Sequence, residues 1–195
     1  MHLPRSGLPP RFASWDEYTR TTGALIELGV IEDTSKIWWD LRPLHSYPTL
    51  ETRIFDVSPR LEHALSLAAL TQALHRMLLR LRQRNLRWRE YDRFLISENR
   101  WRAQRYGITE GLIDFGERTI RPFDPLLDEF IGLVSEDAEA LGSLTEINTL
   151  WDISQGGTNA TRQRQVHAEA MVSGDQASAG RAVVRYLIEE FHMEL

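Results

Sequence analysis

Within residues 36–56, KIWWDLRPLHSYPTLETRIFD, Glu51 and Arg53 stand two positions apart in an otherwise apolar, strand-like run. Side chains at i and i+2 of a strand share a face, so these two stand side by side while Leu50, Thr52 and Ile54 turn the other way. Two chemistries fit such a pair. One is a surface ion pair on a half-buried sheet, common and individually weak. The other is phosphoryl transfer, which asks for charge neutralisation and positioning: a carboxylate offers hard oxygen to a divalent cation, and a guanidinium offers a planar fork to phosphoryl oxygens. Asp40 and Arg42 repeat the spacing on the preceding segment, where Arg42 either shares that anionic load or pairs with a sheet neighbour.

Further along, ENRWRAQRYG carries Asn99, Arg100 and Arg105, polar and cationic groups for which helix packing and ion pairing are one reading and the contact that the resemblance named below implies is the other. Helical spacing sets Arg105 near Arg102 and Trp101 rather than on the line of Asn99. The Gly156-Gly157-Thr158 loop, with Arg162 nearby, either holds an anion on free backbone amides or only separates two helices. Trp38, Trp39 and Trp101 read as core aromatics. The histidines lack metal-ligand spacing, since His63 and His75 are too far apart for an i, i+4 pair, so zinc is not expected. Ten arginines between residues 76 and 105, interleaved with Trp88, Tyr91, Trp101 and Tyr106, form either an anion-binding face or a salt-bridged helix face. The formal net charge of -5 weighs against nucleic acid as the partner.

The elements that must position these groups can be read from caps and periodicity. Ser14 caps a helix over 16–28, with Glu17 as its capping-box partner and Gly29 as the stop. Two strands follow, 37–41 and 49–57, with 42–48 as the connection. Ser58-Pro59 opens a helix whose apolar set Leu61, Ala64, Leu65, Ala68, Leu74, Leu78 and Leu81 leaves Arg76, Arg80 and Arg84 on another stripe. Further helices are expected over 91–105, ending at Gly107, and from Pro122 or Pro125 through Leu133. The remaining ones cover 137–153 with a break near Gly142, from an Asn159 cap through Met171, and 176–192, with 155–158 as a loop. The fold class is therefore α+β, short antiparallel strands followed by a mostly helical region, in one domain over 1–195 divided near residue 58.

A chain of 195 residues with 42% hydrophobic content can build a real core. The absence of cysteine excludes disulfides, thiolate metal sites and a cysteine nucleophile. The start, MHLPRSGLPPRF, lacks a signal peptide's apolar region and no run reaches the length of a membrane span, so a cytoplasmic protein without membrane contact is expected.

The stretches SGLPPRFASWDEY, KIWWDLRPLHSYPTLETRIFD, RLEHALSLAALTQAL, ENRWRAQRYGITEGLIDF and GGTNATRQRQV occur in the order of one family. The chain resembles the C-terminal half of the carboxylate-amine ligases, also called glutamate-cysteine ligase type 2. The resemblance implies the C-terminal part of a glutamine-synthetase-like catalytic domain. There ATP and Mg²⁺ or Mn²⁺ activate a small-molecule acid as an acyl phosphate and an amine displaces the phosphate. It further implies Glu51 as a metal ligand, Arg53 as the cation meeting the transferred phosphoryl group, Arg42 as its helper, and Asn99, Arg100 and Arg105 as nucleotide-side contacts. The family's acidic Glu-Glu-Glu strand and its His-containing strand belong to the N-terminal half and are absent from this sequence. The expected partner is therefore an N-terminal ligase-half polypeptide or a homo-oligomer, and the alternative is a non-catalytic binding or regulatory remnant of the fold.

Overall fold

Residues 4–193 are described by the computed structural model, in which the chain divides into two compact units, Met1–Val57 and Ser58–Leu195. Residues 1–3, part of the N-terminal stretch read above for a signal, lie outside the described residues.

In the first unit, α1 (Trp15–Glu27) starts as its sequence predicts. The Ser14 hydroxyl accepts from the Glu17 amide at 3.1 Å, while the Glu17 carboxylate reaches back to the Ala13 amide at 2.6 Å. This is a capping box whose return bond falls one residue upstream of the usual place. Gly29, with φ of 67°, ends the segment in a conformation that a side chain would strain. The helix buries Tyr18, which packs edge-on against Phe12 at 5.5 Å between ring centroids, and Phe12 in turn meets Trp39 at 5.7 Å. Trp38 departs from the expected core role: it is 44% exposed, with the Arg5 guanidinium 5.8 Å from its ring.

The strands are shorter than expected. β1 (Ser6–Gly7) pairs in parallel with β2 (Trp38–Trp39), and β3 (Leu41–Pro43) pairs antiparallel with β4 (Leu50–Thr52). Asp40 explains the break. Its amide donates to Gly7 at 2.8 Å and its carbonyl accepts from the Arg53 amide at 2.7 Å, so the backbone changes pairing partner at that residue. Arg42 and Pro43 consequently belong to a strand rather than to the connection. Pro43 takes the strand's last position, where the Leu44 amide carries the next bond, to Thr49 at 2.9 Å.

The second unit comprises α2 (Leu61–Gln83), α3 (Arg93–Tyr106), a hairpin of β5 (Leu112–Asp114) and β6 (Thr119–Arg121), then α4 (Phe123–Leu141), α5 (Leu144–Asn148), α6 (Leu150–Gly156), α7 (Asn159–Ser173) and α8 (Gln176–His192). Its core joins Ala69, Ala73 and Met77 of α2 to Leu127, Ile131, Val134 and Ala138 of α4, closed by Ile147 and Leu150. Each large aliphatic side chain buried there contributes about 1.5–3 kcal/mol. The buried line of α2 is His63, Ser66, Ala69, Ala73 and Met77, whereas Leu61, Leu65 and Leu78 of the expected apolar stripe are exposed. Small residues at 66, 69 and 73 let a neighbouring helix approach closely, which bulky leucines would prevent. α4 runs unbroken through residues 134–136 and ends at Gly142 in the left-handed conformation. Thr158, rather than Asn159, caps α7. The architecture is α+β, and among the described residues no helix is long and apolar enough to cross a membrane.

Candidate functional site

The β3–β4 register sets Arg42 directly opposite Glu51. Arg42 is buried and its donors are occupied. Nε and Nη2 each meet Glu51 Oε2 at 2.7 Å, while Nη1 donates to the carbonyls of Ser35 at 2.7 Å, Thr34 at 3.4 Å and Ile37. Those carbonyls are presented by a short 3₁₀ turn, Thr34–Lys36, and by Ile37, which follows it; Asp33 caps the turn by accepting from the Ser35 amide. The other Glu51 oxygen, Oε1, meets Arg53 Nη1 at 2.5 Å. Spacing thus correctly places Glu51 beside Arg53, and the third member is the cross-strand neighbour.

The three side chains differ sharply in exposure: 8% for Arg42, 29% for Glu51 and 38% for Arg53. Glu51 Oε2 is therefore anchored from the interior, and Oε1 shares the solvent side with a guanidinium that can move. Burial pushes the Glu51 carboxyl up, but the hydrogen bonds from Arg42 and then Arg53 outweigh it, and the group ends below its ordinary value. A groove of about 480 Å³ in the same unit is lined by Trp15 and residues 43–50 and includes neither Glu51 nor Arg53.

These residues do not by themselves make a metal shell. Both Glu51 oxygens carry guanidinium partners, and among the described residues no group of three or more His, Asp or Glu side chains could hold an ion. Further carboxylates would have to come from elsewhere for a divalent cation to bind.

Asn99, Arg100 and Arg105 all lie on α3 in the second unit, about a third of a turn apart from one another, so they do not share a face. Asn99 clamps the neighbouring strand: Nδ2 donates to the Ile113 carbonyl and Oδ1 accepts from the Ile113 amide, both at 2.8 Å. Arg100 reaches Gln104 at 3.3 Å, and Arg105 is exposed in the last turn. Trp101 is 49% exposed and meets Tyr106 edge-on, not buried as expected. At the glycine loop, Arg162 donates to the Gly156 carbonyl at 2.8 Å and lies 3.5 Å from Glu190, so it staples the helix end. Glu190 also binds Arg60, a partner 130 residues away that no local signal in the sequence indicates.

Residues 2–181 match the family described as Glutamate-cysteine ligase family 2 (GCS2). Proteins named "Putative glutamate--cysteine ligase 2" are similar to this chain: one from Ruegeria pomeroyi is 69% identical over 194 residues, covering 100% of this chain and 50% of that protein. One from Jannaschia sp. is 56% identical over 195 residues, covering 100% and 51%, and one from Paracoccus denitrificans is 52% identical over 193 residues, covering 98% and 51%. The chain spans about half the length of the curated relatives it matches. With a match of this extent to the family and identities of this size to its relatives, the chain belongs to glutamate-cysteine ligase family 2.

Proposed function

We propose that this chain is the C-terminal half of an ATP-dependent carboxylate-amine ligase with a glutamine-synthetase-like catalytic domain, active when an N-terminal half or partner chain completes it. In the reaction a carboxylate oxygen of the acid attacks the γ-phosphorus of ATP and ADP leaves. The amine nitrogen then attacks the acyl carbon, phosphate departs with its C–O bond, and a proton is lost from nitrogen. The observation that carries this reading is the asymmetric hold on Glu51, one oxygen fixed by a buried arginine and the other paired with a half-exposed one. Arg53 is the cation that meets the phosphoryl group, and Arg42 positions Glu51. Glu51 would serve as one oxygen ligand of Mg²⁺ or Mn²⁺ through Oε1 once Arg53 turned to the phosphoryl group, the other ligands being supplied from outside this chain. On α3, Arg100 and Arg105 contact the nucleotide or substrate, and Asn99 does so or orders β5 for it.

The test is complementation. The chain is mixed with ATP, Mg²⁺ or Mn²⁺, glutamate and a panel of amines including cysteine, alone and co-expressed with the remaining half of the Ruegeria pomeroyi relative, and phosphate release is followed. The isolated chain is expected to be inactive and the complex active. In the complex, Arg53→Lys keeps the charge but loses the planar fork, and should lower the rate on the order of a hundredfold, as for other transition-state donors. Turnover by the chain alone of about 1 per second overturns the need for a partner. A working complex indifferent to both Arg53→Lys and Glu51→Gln reduces the pair to a surface ion pair.

A further inference from the structure

The second unit contains a cavity of about 490 Å³, of whose wall the ligase reading uses Asn99 alone. Its size lies within the range of small-molecule sites, about 300–1,000 Å³, and its wall is that of an apolar binding site. Trp88, Tyr91, Phe115, Phe123 and Phe130 supply ring surface, and Tyr91 packs on Phe115 at 5.3 Å. The polar groups on the wall are unequally available. Asn99 has its amide on the Ile113 backbone. Asp114 accepts from the amides of Glu117 and Gly116 and from Arg121, and these bonds hold its carboxyl below the ordinary range. Glu129 takes the same Arg121 at 2.7 Å. Arg89 differs. Its side chain is 55% exposed, Glu129 is 3.9 Å from its Nη2, and its guanidinium centre lies 5.5 Å from the Trp88 ring.

We propose that this cavity binds a small apolar acid, an aromatic or branched carboxylate whose body enters the ring-lined interior and whose carboxylate pairs with Arg89. Arg121 pairs with both wall carboxylates, and the long Arg89–Glu129 contact is weak enough to be replaced by a closer, bidentate one. A neutral molecule of the same shape would fill the interior but leave Arg89 as it stands. The assignment does not rest on the ligase reading, because Arg89 and the ring-bearing residues have no part in that reading and binding is measured directly.

Isothermal titration calorimetry of the chain with 1-naphthylacetate and with 1-naphthaleneethanol, the same ring system bearing a hydroxyl, tests it. The acid should bind saturably with one site and at least tenfold more tightly than the alcohol. Arg89→Gln should abolish that preference while leaving alcohol binding unchanged. Leu126→Trp, which fills the cavity, should remove binding of both with the helical circular dichroism intact, and should it fail to fold the Arg89→Gln comparison decides alone. Absence of saturation, an acid preference that survives Arg89→Gln, or undiminished binding to folded Leu126→Trp overturns the assignment. So does expulsion of 1-naphthylacetate by the remaining half of the Ruegeria pomeroyi relative, which would make the cavity a protein-docking surface.

Discussion

Arg42 and Arg53 hold the same carboxylate, yet they should behave oppositely when replaced by lysine. Arg42 spreads its donors over Glu51 and three backbone carbonyls in a buried place, and a lysine ammonium cannot span that set. Arg42→Lys should destabilise the first unit by about 1–3 kcal/mol, the usual penalty for leaving buried acceptors unsatisfied. Arg53→Lys, at a half-exposed ion pair, should change stability by about 1 kcal/mol or less. Urea denaturation followed by tryptophan fluorescence separates the two, and a larger loss for Arg53→Lys would reverse the assignment of structural and functional arginine. The neighbourhood of Glu51 and Arg53 was legible because strand geometry has a period of two, and Arg42 was a visible candidate on the partner segment. Its burial was not legible. The carbonyls that hold it come from Thr34 and Ser35 of the short turn and from Ile37 just after it, and a turn of three residues carries no hydrophobic periodicity.

At the scale of elements, α2 and α4 meet around a charge. Asp137 is fully buried on α4, with Arg76 Nη1 at 2.5 Å and Arg80 Nη2 at 2.7 Å from α2. The hydrogen bond from Arg80 is the largest influence and, with Arg76, outweighs burial, so the carboxyl sits below its ordinary value. A group depressed in the folded state stabilises fully above its unfolded pKa, about 3.9, and that stability is lost as pH falls through the lower folded value. Thermal denaturation from pH 7 to 2.5 should therefore show a steep acid loss in the wild type and a shallower one in Asp137→Asn, which begins less stable at pH 7. Equal slopes would mean that Asp137 is protonated in the native state. The β5–β6 hairpin offers a separate check. Asn99→Ala removes both bonds to Ile113 and should speed exchange of that amide by roughly tenfold, the loss of about 1–2 kcal/mol of local protection. Helix ends such as Ser14, Gly107 and Gly142 were legible because caps act through a few adjacent residues. The buried stripe of α2 was not, since the leucine-rich line is the more hydrophobic one and only tertiary packing selects the line of His63, Ser66, Ala69, Ala73 and Met77 with its small side chains.

For the molecule as a whole, the arginine-rich middle decides between a surface for anionic polymers and an internally neutralised framework. Within the stretch Arg76 and Arg80 face Asp137 and Arg102 donates to the carbonyls of Glu110 and Gly111, whereas Arg82, Arg84, Arg87 and Arg105 are exposed; just beyond it Arg121 faces Asp114 and Glu129. Trp88 and Trp101, which could stack on bases, are engaged with Arg89 and Tyr106. Paired arginines release few counterions on meeting a phosphate backbone, and the formal net charge of -5 adds a repulsive background. Fluorescence anisotropy with labelled single-stranded DNA and RNA at 50 and 150 mM salt should give binding no tighter than the non-specific range, about 10⁻⁴–10⁻⁶ M, at the higher salt, weakening steeply between the two. Nanomolar binding that persists at 150 mM would require the arginines to leave their carboxylates together. In that case Asp137→Asn, which removes the charge facing Arg76 and leaves Arg80 only its pair with Glu136, should leave the affinity unchanged, whereas for an internally neutralised framework the same substitution should measurably tighten it.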